Sequence, residues 1–345
     1  MRAALTLNPI IVKELRSRMR GGRTFVILSA FLLGLGALCY AILRVYEGQA
    51  RAGNQIISAH VGKGLFAVLA LAETLLIVFL TPAVTAGAIS GEREQLTYDL
   101  LVATPLRPGR ILSGKLISTL SYILLLIFSA VPLGSLVLVF GGVAPRDLLQ
   151  ALVLLLVTAL TFGMLGLLVS SLVRRTITAT ILTYAIVLLM VVGSYFAVSL
   201  RIAAQPNQPP PASRIVALSP FSAMASIVAR GVETGGFREM PAGPMPGMDG
   251  TGLFMNMPGL STLTVGIVHF GPDGPVTLPI YRWTIVGYSL LGLTCYWLAS
   301  HLIRPRRRLR VDWHDLLMLA SLAVVFAAGS SWLGLWPALA RRLGL

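Results

Sequence analysis

Seven apolar runs dominate the chain, at about 24–43, 65–89, 115–140, 148–173, 177–200, 283–303 and 316–338. At 1.5 Å of rise per helical residue, each is long enough to cross a ~30 Å hydrocarbon layer. Backbone immersed in lipid must satisfy its own hydrogen bonds, so helix is the dictated element. The sequence therefore predicts an all-α polytopic membrane bundle: six core transmembrane helices, then a seventh run. Trp332, Gly334 and Pro337 interrupt that last run, which spans, re-enters or lies along the surface. Composition agrees, since 56% of the 345 residues are hydrophobic and 12% charged, where a soluble domain carries about 25% charged residues. A soluble globular protein is excluded.

The net charge of +15 would, in a soluble chain, suggest nucleic acid as a partner. Position argues otherwise. Of the 28 Lys and Arg, six fall in 1–23, four in 93–115, two at 174–175 and five in 304–310. Alternating crossings put these four stretches on one side, so the basic excess marks the cytoplasmic face of a cell membrane, with the N-terminus inside and no nucleic acid as partner. The linkers 44–64, 141–147 and 201–282 then lie outside. The first run follows a long basic segment and no small-residue cleavage site follows it, so it reads as retained.

Little here suggests bond-making chemistry. Cys39 and Cys295 lie in apolar runs without a CxxC partner. His60, His269, His301 and His314 lack metal-ligand spacing. Neither a catalytic residue, a cofactor nor a metal is expected. Met240, Met245, Met248, Met255 and Met257 crowd one external loop; thioethers suit Cu(I), but they equally pack irregular loops, and no Cys or His is interleaved. Gly109, Gly114 and Lys115 mimic the start of a phosphate-binding G-x-x-x-x-G-K-[ST] loop, which Leu116 breaks. Lys115 reads instead as a boundary residue before the third crossing, and any ATP hydrolysis belongs to another polypeptide.

The external segment 201–282 is rich in Pro and Gly, which oppose continuous helix. Two elements are expected in it. Ser219-Pro220 precedes a mildly apolar stretch from Phe221 to Val232, a short helix at the outer membrane face with proline in its first turn. Residues 261–281 suggest a hairpin around Pro272-Asp273-Gly274.

Two cytoplasmic stretches carry more information than a connection needs. Asn8-Pro9 opens a helix with Ile11, Val12, Leu15 and Met19 on one face and Lys13, Arg16, Arg20 and Arg23 beside it. This is an interfacial amphipathic helix, either an anchor for the first crossing or a partner-binding element. In the loop 91–114, Glu92, Arg93, Glu94, Gln95 and Asp99 form a charged face and Leu96, Leu100 and Leu101 an apolar one, with Pro105 ending the helix near Thr104. Such a helix just below a membrane suits docking to a soluble partner better than a topological pin.

These two stretches resemble the permease subunits of type-2 ABC exporters. The matching positions are Lys13, Glu14 and Leu15, then Glu92, Arg93, Glu94, Thr97, Leu100, Leu101, Thr104, Pro105, Gly114 and Lys115. Leu96 stands where many members carry glycine. Ser219-Pro220-Phe221 is similar to the family's outer-face element, and the resemblance covers 1–304, leaving 305–345 as a C-terminal extension with the seventh run. It implies a permease that pairs with a second copy or a paralogue and with two cytoplasmic ATPases. Glu14, Glu92, Arg93, Glu94, Thr97, Leu100 and Leu101 are then the expected coupling residues.

Glu73 lies about eight residues into the second run, where an ionised carboxylate costs several kcal/mol unless it faces protein or water. It lines either a translocation path or a dimer seam, or is a carboxyl bonded between helices. Other functional classes remain: a membrane scaffold that binds an ATPase without moving solute, and an embedded enzyme. The enzyme would need a GxSxG, metal-spaced histidines or paired carboxylates, none of which occurs in the runs.

Overall fold

The computed structural model describes residues 22–51, 58–97, 108–204, 214–233, 268–271, 274–277, 279–302 and 313–333. In chain order these form α1 (Gly22–Arg51), α2 (Ser58–Thr85), α3 (Ser90–Glu94), α4 (Pro108–Phe140), α5 (Pro145–Leu172), α6 (Thr176–Ala204), a 3-10 turn (Arg214–Leu218), α7 (Pro220–Glu233), β1 (Val268–Gly271), β2 (Gly274–Thr277), α8 (Ile280–Leu302) and α9 (Trp313–Trp332). Six spans among the described residues are long and apolar enough to cross a membrane: Phe25–Gly48, Val61–Glu94, Ile111–Phe140, Pro145–Leu172, Thr176–Arg201 and Ile280–Leu302. They coincide with the first six apolar runs, and the fold is all-α apart from one short hairpin. The interfacial helix expected over 1–23 lies outside the described residues except at 22–23, which already belong to α1.

The helices alternate in direction. Tyr296 near the end of α8 donates to the Gly109 carbonyl at the start of α4 (3.0 Å), and Ser170 near the end of α5 meets Ser90 after α2. At the opposite end Gly142, between α4 and α5, closes on the backbone of Ala59. Gly142 has φ +82°, and a Cβ there would strike Ala59, so only glycine makes this turn.

Helix α5 is the centre, packed against α2, α4, α6, α7 and α8. Small residues let its neighbours approach, the usual device where lipid removes any hydrophobic drive between helices. Gly166 is the tightest example: a Cβ there would overlap the Thr85 hydroxyl and lie 3.3 Å from the Ala86 amide nitrogen. By contrast, only Leu35 is buried among the described residues of α1. Apolar side chains facing lipid incur no penalty, so α1 holds its place with few contacts.

The short helix expected near Ser219-Pro220 is α7, with Pro220 as its first residue, beside the start of α8. It is sunk among α2, α5 and α8, with Ala223, Met224, Ala225 and Ile227 fully enclosed. Its non-helical approach is satisfied by side chains, as irregular backbone at such depth requires. Thr284 Oγ1 donates to the Ala217 carbonyl (2.8 Å), Tyr288 donates to Leu218 (2.7 Å), and Ser226 Oγ accepts the Tyr281 amide (3.2 Å). Strands β1 and β2 pair antiparallel with Gly271 opposite Gly274, which is the expected hairpin. The methionine-rich stretch lies outside the described residues.

The seventh run forms α9, whose apolar stretch Leu316–Trp332 is shorter than the six spans. It lies antiparallel along α8: Gly329 faces Val286, and Trp332 meets Tyr281 edge-on at 6.2 Å, with the Arg282 guanidinium 5.5 Å from the Trp332 ring.

Candidate functional site

The segment 90–97 closes the end of α2 and is built from a helix break. Pro82 removes one donor inside α2, and Ala88 N–H bonds to Thr85 in a tightened turn, leaving the Ile89 and Ser90 amides without helical acceptors. Ser170 Oγ of α5 accepts both, at 3.0 and 2.9 Å, and donates to Ser90 Oγ at 3.2 Å. One buried hydroxyl thus ties the broken helix to the central one.

From this break α3 projects three predicted residues. Glu92 forms an ion pair with Lys115 of α4, Oε1 to Nζ at 2.6 Å, with side-chain exposures of 23% and 6%. Lys115 sits two turns inside α4, because the helix starts at Pro108 and folds its cation beneath α3. Glu94 spans the start of α6, accepting the Thr176 amide at Oε1 (3.0 Å) and the Thr176 hydroxyl at Oε2 (2.7 Å). A carboxylate in that position satisfies a free helix-terminal N–H and complements the helix dipole. Arg93 is half-buried between them.

Helix α3 does not continue to Thr104 as the alternation of charged and apolar residues suggested. It stops at Glu94 in a Schellman motif: Thr97 N–H bonds to the Glu92 carbonyl at 3.0 Å and Leu96 N–H to Arg93 at 3.2 Å. That geometry puts Leu96 in the left-handed region, φ +58°, with its side chain 84% exposed. Hydrophobic periodicity carries no signal for such a reversal. A left-handed leucine costs about 1–2 kcal/mol, and its exposed side chain returns little. Leu96→Gly is accordingly expected to stabilise the motif by roughly 1 kcal/mol. Slower hydrogen exchange of the Leu96-position and Thr97 amides checks this, and faster exchange contradicts it.

The structure thus gathers Glu92, Arg93, Glu94 and Thr97, and adds Lys115, Ser170 and Thr176, which the sequence reading did not assign to the site. Glu14, Leu100 and Leu101 lie outside the described residues. Glu73 does not join the cluster. It sits halfway along α2, ~25 Å of helix away, on the wall of a cavity of ≈ 300 Å³ between α2, α4 and α5. Among the described residues no group of three His, Cys, Asp or Glu is placed to hold a metal ion.

No curated protein matches the chain. The family model described as ABC-2 family transporter protein matches residues 8–328. That match takes in all six spans, the 90–97 segment and most of α9, and the chain belongs to this family of membrane permease subunits.

Proposed function

We propose that the chain is the permease subunit of an ATP-driven exporter in the cytoplasmic membrane, and that segment 90–97 receives the stroke of a separate ABC ATPase. Family membership implies pairing with such an ATPase. The observation that carries the coupling role is the wiring of this segment: a run of eight residues is bonded to the ends of α4, α5 and α6 through Lys115, Ser170 and Thr176, and is continuous with α2. A push on 90–97 therefore reaches four crossings at once. Bistable packing of those crossings converts the push into opening on the far side.

In this reading the 90–97 end faces the cytoplasm, as the basic stretches around it favour. Glu14, Arg93, Leu100 and Leu101 extend the contact surface, and two permease chains, identical or paralogous, form the complete conduit. Helix α9 is a seventh crossing, supported by its antiparallel course from one end of α8 to the other. Co-expression with ABC ATPases, followed by purification in nanodiscs, tests the proposal. The expected result is a stable complex whose ATPase rate responds to the permease, with Glu94→Ala combined with Thr176→Val lowering that response by at least about fivefold. Failure of every ATPase to associate with a folded permease contradicts it.

A further inference from the structure

The cavity between α2, α4 and α5 has a division of chemistry that points to a ligand. All of its lining lies in the half of the bundle away from segment 90–97: Phe66 to Glu73 on α2, the part of α4 after Ile127, and the part of α5 before Leu155. Apart from Ser135, the walls are side chains such as Phe66, Leu69, Leu148 and Leu152, and Glu73 stands at the deep end near the midpoint of α2. Among the described residues nothing donates to its carboxyl, and no cation pairs with it; the adjacent Thr74 hydroxyl is spent on the Ala70 carbonyl at 2.7 Å. At that depth a charged carboxylate is unfavourable unless something offsets it. Val131, Leu138 and Leu149 are exposed lining residues, so the cavity opens sideways toward the hydrocarbon, where a ligand enters from lipid.

We propose that this cavity binds a lipophilic organic monocation, with Glu73 as its counter-ion. The inference rests on the permease reading and narrows its substrate class. A metal ion or a small ammonium is too strongly hydrated to enter through lipid, whereas a cation wrapped in aryl or alkyl groups carries its own apolar contact surface. The carboxylate then supplies the charge complementarity and the walls supply the burial. A volume of ≈ 300 Å³ falls at the lower end of the range for small-molecule pockets, roughly 300–1,000 Å³.

Binding of radiolabelled tetraphenylphosphonium to the purified full chain in phosphatidylcholine nanodiscs tests this, with radiolabelled tetraphenylborate, of the same shape and opposite charge, measured in a separate sample. The expected result is saturable binding of the phosphonium and none of the borate. Glu73→Gln, which keeps the side-chain shape, should weaken it by about tenfold or more. Gly134→Leu, which grows a side chain into the cavity from a position where a Cβ meets only Leu148 at 3.7 Å, should remove it. Unchanged affinity in Glu73→Gln, saturable binding of tetraphenylborate with equal affinity, or no saturable binding of the phosphonium overturns the proposal; equal binding of the borate would make the cavity a seat for a lipid chain. The charge comparison uses the unmutated protein, so it does not depend on a variant folding. No ATPase is present, so the outcome is separate from that of the coupling experiment.

Discussion

Glu92→Ala is expected to destabilise the folded permease by about 3 kcal/mol, because it strips a carboxylate from an ammonium that is only 6% exposed. Lys115 lies two turns inside α4, and its Nζ is held 2.6 Å from Glu92 Oε1. The reverse substitution is expected to be damaging as well. Lys115→Met leaves the Glu92 carboxylate without its cation, and its Oε2 is already buried without a hydrogen-bond partner. Combining the two should recover most of the loss, since an apolar pair of similar volume no longer carries a buried charge. Melting temperatures of the four proteins complete a double-mutant cycle. If Glu92→Ala falls within 0.5 kcal/mol of the parent, a surface-bridge magnitude, then Lys115 is solvated and the segment is not anchored through it.

Substitution of Gly166 should be at least as damaging, for a steric reason. Even alanine places a Cβ over the Thr85 hydroxyl, 3.0 Å from Thr85 Cβ and 3.3 Å from the Ala86 nitrogen, and the last of these is backbone that cannot swing away. Overpacking of this kind costs about 1–3 kcal/mol. Here it also parts α2 from α5 one turn below Ser170, whose hydroxyl holds the Ile89 and Ser90 amides. Gly166→Ala is therefore expected to lower the melting temperature, with Thr85→Ala in the same chain regaining part of it by removing the side-chain share of the clash. Gly166→Leu should be beyond such rescue and should fail to yield folded protein. A tolerant Gly166→Leu would show that the two helices are not in contact at this point.

The positions of the helices were legible because hydropathy in a membrane chain is nearly a direct readout of burial in lipid, and the six spans follow the runs closely. The candidate segment stood out for a related reason: Glu92, Arg93 and Glu94 are a concentration of charge in a chain that has little. What they bond to was not. Lys115, Ser170 and Thr176 come from three other helices, and pairing between side chains so far apart in sequence leaves no periodic trace. For that reason nothing in the sequence marked Lys115 as the partner of Glu92. The break after Glu94 was hidden differently, since the alternation from Glu92 to Leu101 is compatible with helix and only the left-handed backbone at Leu96 ends it. Helix α7 was legible from its proline, but its burial was not, because its alanines and serines give low hydropathy; small residues are what allow it to pack inside the bundle.

The coupling role requires segment 90–97 to be the face offered to the ATPase, and Leu96 within it is 84% exposed. A single cysteine at that position, Leu96→Cys with Cys39 and Cys295 replaced by alanine, can be labelled with a membrane-impermeant maleimide in sealed vesicles of known orientation. Labelling only from the cytoplasmic side, and its suppression when the partner ATPase is bound, is the predicted result. Labelling from the exterior would contradict the orientation and the coupling role together.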